Sequence, residues 1–140
     1  MPAAWCLASP QIGEREVAAE LLTHAARTGA LRPGLTLIGD KGFAGREFED
    51  LLTTTFGVSL VRPDRRDEPA RHGPIGWIRQ WIESVNDTLK GQLDLELHGG
   101  RSIDGVTARV GQRILALTAA IWHNRATGQP VTRSLIAYDH

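Results

Sequence analysis

From Ala3 to Ala8 the chain reads AAWCLA, small and apolar, and stops at Ser9-Pro10. That pattern predicts a short buried strand. The next stretch, IGEREVAAELLTHAARTG, places apolar residues at Val17, Leu21 and Leu22 with glycines at Gly13 and Gly29. Such spacing predicts an amphipathic helix closed by a glycine cap. After the Pro33-Gly34 turn, Leu35, Leu37 and Ile38 predict a second strand that ends at Asp40. Arg46 to Thr55 predicts another helix, with Phe48, Leu51 and Leu52 as its apolar stripe. Beyond Gly57, VSLVRP predicts a third strand, stopped by Pro63. Strand, helix and strand this close in sequence imply a crossover and parallel pairing.

The pattern changes after Pro63. Residues 63–74 are polar and charged and predict a loop. A long helix is expected from Trp77 to about Leu95, with Ile78, Trp81, Ile82, Val85 and Leu89 apolar and Gly99-Gly100 as its break. Trp77 and Trp81 are expected in the core, with one of them stacking on an exposed base as the alternative. Ser102 stands as an N-cap for a last helix carrying Val106, Val110, Ile114, Leu117 and Ile121. The expected fold is α/β, with about three core strands near 3–8, 35–39 and 58–62 and helices on the faces. One domain over 1–128 and a weakly patterned tail at 129–140 complete the expectation.

Composition narrows the classes. A chain of 140 residues allows one domain with a sizeable core. Hydrophobic content of 41% and charged content of 23% exclude wholesale disorder. Sixteen basic and sixteen acidic side chains cancel, so attraction to a polyanion has to be local. The single cysteine, Cys6, excludes an internal disulfide and is expected to be a buried structural thiol. No signal-peptide pattern and no membrane-length apolar run occur, which leads to the expectation of a cytoplasmic protein.

In open α/β sheets, ligand chemistry collects at the carboxyl ends of strands. Asp40, in GDKGF, is expected at such an end, with Gly39 and Gly42 allowing a tight bend. In WIRQWIESVNDTLK, the residues Arg79, Glu83 and Lys90 are four and seven apart, which returns them to one face of a regular helix. A carboxylate between two cations suits a metal site that faces phosphates. Carboxylates of this kind hold two divalent ions about 4 Å apart in nucleotidyl transfer, and hard oxygen ligands favour Mg²⁺ or Mn²⁺. On this view Arg79 and Lys90 grip a DNA backbone. The two carboxyl groups are expected within about 10 Å of each other.

These motifs resemble bacterial insertion-sequence transposases of the DDE class. Arg79, three residues, Glu83, six residues, Lys90 is similar to the R-(3)-E-(6)-K part of their signature. GDKGF is similar to their second-aspartate motif, and SIDGVTARVGQRILALTAAIWHN resembles the helix that closes their domains. The resemblance spans nearly the whole chain. It implies a truncated ribonuclease-H-like fold, with Asp40 and Glu83 as catalytic and metal-binding carboxylates. It also implies DNA strand cleavage and transfer during transposition, DNA (transposon ends and target DNA) as partner, and a nucleoid-associated location. Two positions depart from the family. Gly76, beside Trp77, stands where the signature has a tyrosine. No acid precedes Glu14 and Glu16, which belong to the first helix, so the first catalytic aspartate has no counterpart. The N-terminal strands are therefore expected to be missing, and the chain alone to be inactive.

Two further readings stay open. The chain could be a non-catalytic DNA-binding fragment, or one that pairs with a full-length transposase. The basic residues Arg62, Arg65, Arg66 and Arg71 could track DNA, or they could form a solvated loop, since Asp64, Asp67 and Glu68 are interleaved with them. The five histidines show no metal-ligand spacing, so zinc is not expected.

Overall fold

In a computed structural model the description covers residues 2–69, 71, 73 and 75–130, without the Arg79 side chain. The chain divides into two compact units, Ala3–Ile75 and the residues from Gly76 onward. The class is mixed α/β, mostly helical, with a small two-stranded parallel sheet.

The N-terminal unit starts its regular structure at helix α1, Glu14–Arg27. Glu14 and Glu16 in its first turn and His24 and Arg27 in its last complement the helix dipole. The positive φ of Gly29, 76°, lets the chain turn back, and the Leu31 amide then donates to Ala25 O at 3.0 Å. Strand β1, Thr36–Ile38, lies parallel to strand β2, Ser59–Val61, with Leu37 opposite Leu60. Between them runs helix α2, Arg46–Phe56, which supplies the crossover that parallel pairing needs. Gly57 ends α2 in the left-handed region and the Val58 amide reaches back to Leu52 O, 3.1 Å away. A side chain at Gly57 would be strained there and would press on Pro33 at 3.2 Å. Leu52, fully buried, sits among Ala25, Leu31, Phe48 and Val58, with Leu22, Leu37, Leu51 and Leu60 packed around them.

Two expectations for this unit are corrected. Residues 3–8 form no strand, so among the described residues two strands replace the three expected. Ala4 packs against the core while Trp5 and Leu7 stay exposed; the small residues Ala3 and Ala4 offer little area to bury, and among the described residues the segment has no strand partner. Cys6, expected inside, is exposed as a consequence.

The second unit holds helix α3, Gly76–Asp87, which continues into a π-helical turn over Thr88–Gln92. Buried Thr88 anchors that turn by donating its hydroxyl to Ser84 O at 3.0 Å. Helix α4, Ile103–Ala126, begins as the sequence predicts, with Ser102 Oγ accepting the Gly105 amide at 3.2 Å. It buries Val110, Leu117, Ala120 and Asn124. Arg113 of α4 donates from Nε to the carbonyls of Leu93 (2.7 Å) and Asp94 (3.1 Å), tying the end of the π turn to the helix. Gly100 permits the close entry into α4, because a Cβ there would stand 2.7 Å from the Val106 amide nitrogen. Trp77 and Trp81 are not in the core. They are 59% and 54% exposed and stack edge to face with centroids 5.4 Å apart. The tail from residue 131 lies outside the described residues. Among the described residues no helix is long and apolar enough to cross a membrane.

Candidate functional site at the strand ends

One residue, Gly39, separates Asp40 from the end of β1, and Gly39 extends the ladder by donating its amide to Val61 O at 3.0 Å. A Cβ on Gly39 would lie 3.2 Å from Leu60 and 3.3 Å from Phe43, so glycine lets the chain fold tightly over the strand end. The single 3-10 turn Lys41–Phe43 follows, capped by Asp40, whose Oδ1 accepts the Lys41 amide at 2.6 Å. Arg15 of α1 steadies the same turn from Nε to Gly42 O at 3.3 Å. The side chain of Asp40 is exposed, and Oδ2 accepts no hydrogen bond among the described residues. One oxygen shapes the turn and the other faces solvent.

The parallel arrangement brings the end of β2 to the same edge, and there Arg62 stands. Arg62 is only 4% exposed. Its guanidinium forks between two carboxylates: Nη2 reaches Glu49 Oε1 and Glu68 Oε1 at 2.9 Å each, and Nη1 reaches Glu68 Oε2 at 2.7 Å. Arg71 adds a contact to Glu49 Oε2 at 3.3 Å, and the Arg65 amide donates to Glu68 Oε2 at 3.0 Å. The hydrogen bond from Arg62 is the main cause that brings Glu68 down to about 2. Burial raises Glu49, but the hydrogen bond and charge of Arg62 outweigh it and leave Glu49 below its ordinary value. Glu68 hydrogen bonding raises Arg62 further above its ordinary range. Arg62, one of the residues expected to contact DNA, thus has its donors engaged inside the unit. Arg65 and Arg66 are exposed, although Arg65 also donates to Ala44 O at 3.3 Å.

Glu49 is the partner that sequence reasoning missed. The signal was present as an acid on α2 beside the apolar stripe, but nothing in a spacing of thirteen residues ties it to Arg62.

The other candidate residues belong to the second unit. Glu83 lies on α3 and is exposed. The side chain of Arg79 lies outside the description. Lys90 is in the π turn, where it pairs with Glu96 at 2.7 Å, and that hydrogen bond raises its pKa. A π turn advances fewer degrees per residue than an α turn, so Lys90 is rotated off the azimuth that regular helical spacing gives it relative to Glu83. Among the described residues no group of three His, Cys, Asp or Glu side chains gathers as a metal site.

Compared with protein-family models, curated proteins and solved structures, the chain matches none.

Proposed function

We propose that the chain is part of a DDE transposase catalytic domain of ribonuclease-H-like ancestry. Its family chemistry is DNA strand cleavage and transfer. The observation that carries the reading is Asp40: an exposed carboxylate with one open oxygen, beyond the carboxyl end of a parallel strand, in a turn fixed by Gly39 and Arg15. That is where α/β sheets gather their chemistry. In this reading Asp40 and Glu83 are two carboxylates for Mg²⁺ or Mn²⁺, whose role would be to activate the attacking oxygen and stabilise the leaving one. Among the described residues no group of three such ligands gathers. The chain's own residues hold the corner: the Lys41 amide fixes one oxygen of Asp40 and leaves the other free. Arg79, Arg65 and Arg66 would meet DNA phosphates, and Lys90 would exchange Glu96 for one. Arg62 is left out of that set because its donors are committed to Glu49 and Glu68.

The exposed Arg65 and Arg66 favour a second reading: a fragment that binds DNA, or a full-length transposase, without cutting. The test is a salt-titrated binding and nicking assay on duplex DNA with Mg²⁺ or Mn²⁺. No cleavage is expected, and binding should be weak and non-specific, with a Kd of about 10⁻⁵ M at low salt. Lys90→Ala should reduce the salt slope by roughly one unit. Cleavage abolished by Asp40→Ala would show that the chain completes its own cage. Absence of binding at low salt would remove DNA as a partner.

A further inference from the structure

Helix α4 is apolar on two faces. One is covered: Val110, Leu117, Ala120 and Asn124 are buried. On the opposite face Ala108, Gly111, Leu115, Ala119 and Trp122 recur at steps of three and four, the spacing of a helix–helix seam. Leu115 is 67% and Trp122 63% exposed. A helix apolar all round normally has both faces covered, and an apolar stripe that the described residues leave largely exposed marks an interaction surface.

We infer that this stripe is the contact between two copies of the chain, with the two α4 helices antiparallel and a two-fold axis at Leu115. Volume and charge both select this occupant. About that axis a residue n positions after Leu115 meets the residue n positions before it. The bulk of Trp122 falls on Ala108, Ala119 falls on Gly111, and Leu115 meets its own copy. Large thus meets small along the seam, the complementarity that close packing requires. A parallel pairing instead stacks Trp122 on Trp122 and leaves Ala108 and Gly111 facing a gap.

The ends carry the charge argument. Asp104, in the first turn, and Arg125, in the last, are both exposed. Antiparallel alignment brings Arg125 of one copy within one residue of Asp104 of the other, at both ends of the seam. It also opposes the two helix dipoles. The 22 residues from Asp104 to Arg125 give a seam about 33 Å long. One helix pair of that length is a small interface, so the dimer should be weak, with a Kd in the tens of micromolar, about 10⁻⁵ to 10⁻⁴ M.

The experiment is sedimentation equilibrium of the full chain across that concentration range. A reversible dimer is expected. Leu115→Arg should weaken it by about thirtyfold or more, a 2 kcal/mol effect at about 1.4 kcal/mol per tenfold, with the far-ultraviolet dichroism unchanged. Asp104→Arg should weaken it too, and adding Arg125→Asp should restore it. Orientation is read separately by oxidative cross-linking in a Cys6→Ser background. Leu115→Cys should link to its own copy, whereas Ala108→Cys alone should not. A chain that stays monomeric throughout, a dimer indifferent to Leu115→Arg, or equal cross-linking of Ala108→Cys would each overturn the inference.

Discussion

Arg62→Ala should destabilise the N-terminal unit by roughly 3 kcal/mol, the low end for breaking a buried ion pair, because Glu49 and Glu68 keep some water access. The physical reason is the asymmetry of such clusters. Arg62 side-chain exposure is 5%, and two carboxylates converge on it. Removing the cation leaves Glu49 and Glu68 without the guanidinium that joins them, and the Arg65 amide and Arg71, which those acids hold, lose that tie to the strand end. Urea denaturation of the full chain measures it; a shift in midpoint close to zero would show that the loop is held by other contacts. The same cluster sets an acid limit. Glu68 is lowered from 4.5 to about 2, and Glu49 is lowered as well. A folded-state pKa below the unfolded one contributes stability that is present above the unfolded value and lost as pH falls through the folded one. Stability should therefore drop between about pH 4.5 and pH 2, and Arg62→Ala should flatten that drop.

Leu52→Ala should cost a similar amount, about 3 kcal/mol, from lost burial plus the cavity left behind. Leu52 has no exposure and touches the elements that make the crossover unit: Ala25 from α1, Phe48 within α2 and Val58 before β2. Leu52→Val should cost less than half as much, since it removes one methylene group and leaves a smaller hole. The thermal midpoint of the two variants decides; equal losses would point to a helix defect rather than a cavity.

These two residues show how unevenly the fold was legible. Leu52 stood on the apolar stripe of a helix whose glycine stop, Gly57, also marked the start of β2, so periodicity and punctuation agreed. Ser102 was equally readable, because an N-cap acts through its own neighbours, here the Gly105 amide. The AAWCLA segment failed as a strand for the opposite reason. A strand exists only through a partner, and local composition does not say whether one is available. Trp77 and Trp81 share a face, as their spacing requires, but spacing does not tell whether anything covers that face.

The site divides in the same way. That Asp40 ends a strand was readable from the apolar run before it and the glycines around it. The role of Arg62 was not. In sequence it belongs to a mixed-charge loop, while in the fold it answers to Glu49 on α2 and Glu68 in the loop. The spacing of Arg79, Glu83 and Lys90 assumed an unbroken α-helix, and the π turn at Thr88–Gln92 alters that geometry for Lys90.

The central proposal is that Asp40 helps to hold a divalent ion. It is tested most directly by adding Mn²⁺ to the isotopically labelled chain and recording which amide signals broaden. The account predicts that the signals around Asp40 broaden at millimolar Mn²⁺, about 10⁻³ M, as a partial cage should bind weakly, and that Asp40→Asn abolishes the broadening. No broadening around Asp40, or broadening unchanged by Asp40→Asn, would contradict it.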